Sequence, residues 1–123
     1  MLEESKEYKD FVIDSMIKNV VCDEVAFNLT DMPKFNSLAD SYVALKEELQ
    51  ETDEELKEMF VGLQELWGMM RANSPDTEVQ VKIKVMLEQS YQVIHEAVHI
   101  AAVCKKSITQ LFEEGEHGRK KVD

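Results

Sequence analysis

Residues 37–72 read SLADSYVALKEELQETDEELKEMFVGLQELWGMMRA. Leu38, Tyr42, Leu45, Leu49, Thr52, Leu56, Met59, Leu63, Leu66 and Met70 alternate steps of four and three without a slip. That is a heptad seam with a single polar interruption, Thr52. The spacing predicts one amphipathic helix, on the order of 50 Å long at ~1.5 Å per residue. Gly62 and Gly68 are expected to loosen its last third.

Downstream, Asn73-Ser74-Pro75-Asp76-Thr77 breaks the pattern, with Asp76 or Thr77 as a natural N-cap. A third helix is expected over about 77–112. One of its stripes is Val79, Ile83, Met86, Ser90, Val93, Ala97, Ile100, Cys104 and Leu111; an adjacent one is Leu87, Tyr91, Ile94, Val98, Ala101 and Ile108. Two stripes make a face wider than one antiparallel neighbour covers. Upstream, Tyr8, Phe11, Val12, Ser15, Met16, Asn19 and Val20 follow helical spacing and predict a first helix over about 3–27. The run from Asn28 through Pro33 to Asn36 ends it, and Asn36 or Ser37 caps the long helix.

The short break folds the two long helices into an antiparallel hairpin, with facing positions at indices summing to roughly 150. The expected fold class is all-α: a long antiparallel hairpin plus an N-terminal helix. It forms a single domain over residues 1–112, followed by a charged, aperiodic, disordered tail over 113–123. The wide third-helix face points to a second copy that completes a four-helix bundle, as a homodimer or tetramer. The alternative is that the first helix folds back and covers that face alone.

The 123 residues hold 25 acids against 14 bases, a net charge of −11. Such an excess repels phosphates and argues against general binding to nucleic acid or anionic membrane. It is compatible with divalent cations, or with a decoy that mimics nucleic acid toward a basic partner. Four Gly and two Pro leave few turns, which speaks against a sandwich or barrel. No run approaches the ~18 apolar residues of a membrane span. The acidic start, Met1-Leu2-Glu3-Glu4-Ser5-Lys6-Glu7, has no export core, so a cytoplasmic location is expected. Cys22 and Cys104 lack CxxC spacing and read as reduced, half-buried thiols. Trp67, spaced with Leu63 and Met70, reads as core. Lys105-Lys106 and Arg119-Lys120-Lys121 read as charges opposing the helix dipole.

Two segments carry candidate chemistry. In Glu47-Glu48-Leu49-Gln50-Glu51, Glu48 and Glu51 are three apart and share a flank of the helix, Glu48 at the edge of the seam. Glu55 lies on the same flank, and Glu47 faces outward. In His95-Glu96-Ala97-Val98-His99, Glu96 and His99 are likewise three apart. Across the hairpin, Glu51 is expected level with His99 and Glu55 level with His95, with Glu48 within about two turns of Glu96. Glu48, Glu51, Glu96 and His99 would then offer a cation three oxygen ligands and one nitrogen. The plain alternative is a solvated glutamate face on an acidic helix. The second segment also spells H-E-x-x-H, the pattern in which two histidines hold zinc and the glutamate activates water. No strand is expected here to bind a peptide substrate, and the third-ligand candidates, Glu113, Glu114, Glu116 and His117, sit in the loose tail, which leaves structural zinc on His95 and His99 as an alternative.

A helix with E-E-x-x-E followed by a helix with E-x-x-D resembles the MazG-like all-α nucleoside triphosphate pyrophosphohydrolase superfamily, which includes dimeric dUTPases. The first motif is intact at Glu47-Glu48-Leu49-Gln50-Glu51. The second stands as Glu96-Ala97-Val98-His99, with His in place of Asp, followed by Ile100-Ala101-Ala102-Val103-Cys104-Lys105-Lys106. The likeness spans about residues 38–108. It implies Mg²⁺ or Mn²⁺ on Glu48, Glu51, Glu96 and His99, and Glu47 or Glu55 to orient a water. It also implies cleavage of a nucleoside triphosphate to monophosphate and pyrophosphate. His99 removes a hard oxygen ligand and shifts preference toward Mn²⁺, with Zn²⁺ the lesser candidate. The gap between the motifs is longer than usual for the family. A non-catalytic oligomeric interaction protein on the same scaffold is the alternative.

Overall fold

A computed structural model describes residues 2–113. It contains three α-helices, α1 (Leu2–Asp31), α2 (Leu38–Arg71) and α3 (Asp76–Ser107), and then a π-helical segment, Ile108–Glu113. No strand occurs among the described residues, and no helix there is long and apolar enough to cross a membrane. The all-α expectation holds. The charged tail expected from Glu113 onward lies outside the described residues, except Glu113 itself, which closes the π-helical segment.

The boundaries follow from local chemistry. α1 runs past Phe27 to Asp31 because its polar side chains bond back into the helix. Asn28 Nδ2 donates to the Glu24 carbonyl at 2.9 Å, and Thr30 Oγ1 to that of Ala26 at 2.9 Å. Ser37 is the N-cap of α2, its Oγ accepting from the Asp40 amide at 3.3 Å. Asp40 reaches back to the Asn36 amide at 2.9 Å. α2 closes with Asn73 in the left-handed region at φ 52°. There the Asn73 amide donates to the Met70 carbonyl and the Ser74 amide to that of Met69, which is a Schellman ending with Asn in the usual glycine position. The start of α3 differs from expectation. The Pro75 carbonyl accepts from Glu78 and Val79, so Asp76 already lies inside the first turn.

The chain divides into two compact units, described separately. One comprises α1, α2 up to Leu45, and α3 from Val98 on; the other is Lys46–Ala97. In the first unit, Val21, Ala102 and Val103 are buried, alongside Ser41, Lys106, Ser107 and Gln110. The polar members are paired. Ser41 and Ser107 share a hydroxyl hydrogen bond at 2.5 Å. Lys106 Nζ donates to the Pro33 carbonyl at 2.7 Å and sits 4.2 Å from the centre of the Phe35 ring. Gln110 accepts from the Phe35 amide at 2.8 Å. The wider π-helical turn replaces the α-helix expected to reach residue 112 and carries Gln110 to this bond. Tyr8, Phe11, Met16 and Val20, the expected inner face of α1, are exposed. The covered positions are Val12, Ser15, Val21, Glu24, Val25 and Asn28.

The second unit is an antiparallel hairpin, as expected, with the pairs Glu65–Lys82 and Glu51–Glu96 across it. Its register is about one helical turn from the expected one: Glu51 meets Glu96, not His99. The compact Asn73–Pro75 turn sets this register. The seam also differs in phase. The covered positions of α2 are Glu48, Thr52, Glu55, Met59, Gly62, Leu66 and Met69. Thr52, Met59 and Leu66 belong to the expected stripe, but Leu49, Leu56, Leu63 and Met70 stand exposed. α3 packs on one edge of a broad stripe, and Gly62 explains which edge. A β-carbon there would lie 3.4 Å from Met86 Cγ, so the helices approach closely here, with room for a methyl and little more. α2 is continuous through both glycines.

Two further expectations are corrected. Trp67 is 60% exposed and not core. Cys22 and Cys104 are free thiols and both are exposed, where half-burial was expected.

Candidate functional site

The α2 sequence Glu47-Glu48-Leu49-Gln50-Glu51 places Glu48 in the seam, half-buried, while Glu47 and Glu51 are exposed. Helical spacing puts Glu55 back in the seam two turns on, also half-buried. On α3, Glu96 occupies the facing covered position. An oxygen of Glu48 and an oxygen of Glu96 lie within 4.8 Å of each other. The carboxyl group of Glu51 lies close enough to that of Glu96 for each to feel the other's charge.

Three glutamates on facing helices at one level therefore form a carboxylate cluster. Its electrostatics are visible in Glu51, whose carboxyl titrates above its ordinary value. The largest cause is the hydrogen bond with Glu96. The repulsion of the Glu96 charge comes next, then desolvation, then the charges of Glu47 and Glu54. A carboxyl–carboxyl hydrogen bond needs a proton on one partner. A cation between the two groups would take over that proton's role.

The donor set fits a hard or borderline divalent cation. Ligand atoms around one ion at ~2.1 Å stand roughly 3–4 Å apart, and 4.8 Å closes to that by rotamer adjustment. Glu48, Glu51 and Glu96 would supply oxygen.

The sequence-based candidates divide accordingly. Glu48, Glu51 and Glu96 come together in the second unit, whereas His99 belongs to the first. Glu47 acts on the cluster through its charge on Glu51. Glu55 faces the seam two turns from Glu48. His95 is exposed while His99 is half-buried, so the two histidines of H-E-x-x-H stand in different surroundings.

Sequence reading missed Glu24. On α1, its Oε1 lies 3.5 Å from His99 Nε2, both side chains being half-buried. The available signal is its place in the series Val21, Glu24, Asn28, which follows steps of three and four.

No protein-family model matches the chain, and neither a curated protein nor a solved structure is significantly similar to it.

Proposed function

We propose that the chain is a metal-dependent nucleoside triphosphate pyrophosphohydrolase of MazG-like type. The carrying observation is the meeting of Glu48, Glu51 and Glu96 from facing helices at one level of the hairpin. Such a group has no role in packing. Like charges there are costly unless protons or a cation offset them. Mg²⁺ or Mn²⁺ on Glu48, Glu51 and Glu96 would supply charge neutralisation for a polyphosphate and a polarised water. Glu47, exposed beside Glu51, is the carboxylate placed to accept a proton from that water. Glu55, held in the seam, is less accessible for that role.

The working form is a homodimer. Leu49, Leu56, Phe60, Leu63, Trp67 and Met70 of α2 are 40–65% exposed, and so are Ile83, Leu87, Tyr91 and Ile94 of α3. Burying each gains on the order of 1.5–3 kcal/mol, a strong drive toward a second hairpin. That same flank favours a second reading, a non-catalytic oligomeric protein in which the carboxylates bind no nucleotide.

Pyrophosphate release from a panel of ribo- and deoxynucleoside triphosphates, with Mg²⁺ and Mn²⁺ in parallel, tests the first reading. Turnover is expected to disappear in Glu48→Gln and Glu96→Gln while the oligomer persists. No turnover in the folded wild type, or equal turnover in both variants, would move the assignment to the second.

A further inference from the structure

Residues 8–25 of α1 mirror themselves about the point between Met16 and Ile17. The first half read forward is YKDFVIDSM and the second read backward is VEDCVVNKI. With cysteine counted as apolar, apolar stands against apolar and polar against polar at every position. A two-fold contact between identical chains needs such a pattern, because residue i meets j and residue j meets i. Four of its members, Ile13, Met16, Ile17 and Val20, share one face of the helix and are 50–61% exposed. We propose that this face of α1 docks on the same face of a second copy. The two helices lie antiparallel, with Met16 of each chain against Ile17 of the other and Ile13 against Val20. The surface belongs to the first unit and goes beyond the hairpin flank described above.

Three observations choose a second copy over another occupant. The mirror pattern is the first, since an unrelated partner has no need of it. Second, the charges that close the apolar face complement each other in this pairing. Lys9 stands four residues before Ile13, and Glu24 four residues after Val20. Antiparallel packing brings Lys9 of each chain to Glu24 of the other, whereas parallel packing sets like against like at both ends. Glu24 meets His99 and Asn28 through Oε1, which leaves Oε2 for the lysine. Asp10 and Asp23, the like-charged pair of the pattern, fall on opposite flanks of the face by helical spacing and do not meet. Third, the net charge of −11 speaks against an anionic membrane as the cover of an apolar helix face. One helix pair buries less than the about 1,200–2,000 Å² of a stable interface, so the contact is weak and forms at high concentration.

Light scattering of the full chain over a concentration series tests this in a Leu63→Glu background, where the hairpin flank no longer pairs. That variant should be a 14.2 kDa monomer when dilute and approach twice that mass on concentration. Adding Met16→Glu should hold it at the monomer mass throughout, with unchanged helicity by circular dichroism. Disulfide capture reads the register, with Cys22 and Cys104 replaced by serine. Mild oxidation should join Ile13→Cys chains to Val20→Cys chains in a mixture and leave either variant alone without cross-links. A Leu63→Glu chain that stays monomeric at every concentration, or associates equally with and without Met16→Glu, overturns the proposal. Ile13→Cys chains that cross-link to each other indicate parallel pairing and overturn it too. A Leu63→Glu chain that remains dimeric when dilute and dissociates on adding Met16→Glu upholds the α1 contact and refutes the hairpin flank instead.

Discussion

Glu51 of α2 and Glu96 of α3 face each other across the hairpin, and the nearness of Glu96 raises the pKa of the Glu51 carboxyl. Two acids in that arrangement hold together only while one keeps its proton. This pair links folding to pH in the second unit.

The first prediction concerns pH. Glu51 has a raised pKa in the folded chain. A raised value means that the folded state binds the proton more tightly than the unfolded state. The stabilisation is therefore fully present below the ordinary glutamate range and is lost as pH rises through the raised pKa. Glu51→Gln keeps a neutral hydrogen-bonding group at all pH values. Without divalent metal, its melting temperature should match the wild type in acid and exceed it increasingly toward neutral pH. A gap that narrows with rising pH would contradict the pairing.

The second concerns metal. If Mn²⁺ takes over the proton's role, it should raise the melting temperature, by about 2.7 kcal/mol of stability at a hundredfold excess over Kd. Glu48→Gln and Glu96→Gln should each lose most of that gain. Thermal scans with and without Mn²⁺ at neutral pH measure it directly. An equal rise in all three proteins would assign the effect to surface binding elsewhere.

The third concerns the exposed flank of the hairpin. Leu63 and Trp67 are 52% and 60% exposed. In a dimer they lie between chains. Leu63→Glu should shift the mass seen by light scattering from about twice 14.2 kDa to 14.2 kDa. It should also move Trp67 emission to longer wavelength as water reaches the indole. A wild type that is monomeric at high concentration would refute the dimer.

What the sequence discloses follows from which physical signals are local. Helical spacing at Leu45, Thr52, Met59 and Leu66 needs no knowledge of a partner, so three helices and a hairpin are readable from it. The carboxylates Glu48, Glu51 and Glu96 are likewise placed by helical period and a short turn. The phase of the seam is not local. A stripe as broad as that of α2 offers two edges, and Gly62 opposite Met86 selects the one that contains Glu48 and Glu55. The one-turn register difference comes from Asn73 in the left-handed region, where glycine is the residue usually sought. Glu24 escapes notice because the large side chains Tyr8, Phe11 and Met16 dominate the periodicity of α1, while the covered positions are mostly small or polar.

The fourth prediction tests Gly62. Alanine gains helix propensity of about 1 kcal/mol over glycine. Its β-carbon would lie 3.4 Å from Met86 Cγ and 3.8 Å from Lys82 Cε, both on flexible side chains that can yield. Gly62→Ala should therefore be neutral or slightly stabilising in urea denaturation. Gly62→Leu has no such room and should cost about 1–3 kcal/mol by forcing the helices apart. Equal stability of the leucine variant would mean that the helices do not close at this point.

The last prediction tests the buried lysine of the first unit. Lys106 is 2% exposed, and burial lowers its pKa. A lowered value means that the unfolded chain binds this proton more tightly. The lysine therefore opposes folding at neutral pH, and the penalty lifts as pH rises through the folded pKa toward the ordinary lysine value. Against this stand its bond to the Pro33 carbonyl at 2.7 Å and its contact with the Phe35 ring. Lys106→Met keeps the aliphatic stem and removes both the charge penalty and the donor. Losing a hydrogen bond from a charged donor costs about 1.5–3 kcal/mol. The variant should be less stable than the wild type at pH 7, and the deficit should grow at alkaline pH, where the wild type escapes its penalty. A deficit that shrinks as pH rises would show that the ammonium charge itself, through Phe35, holds the α1–α2 connection against α3.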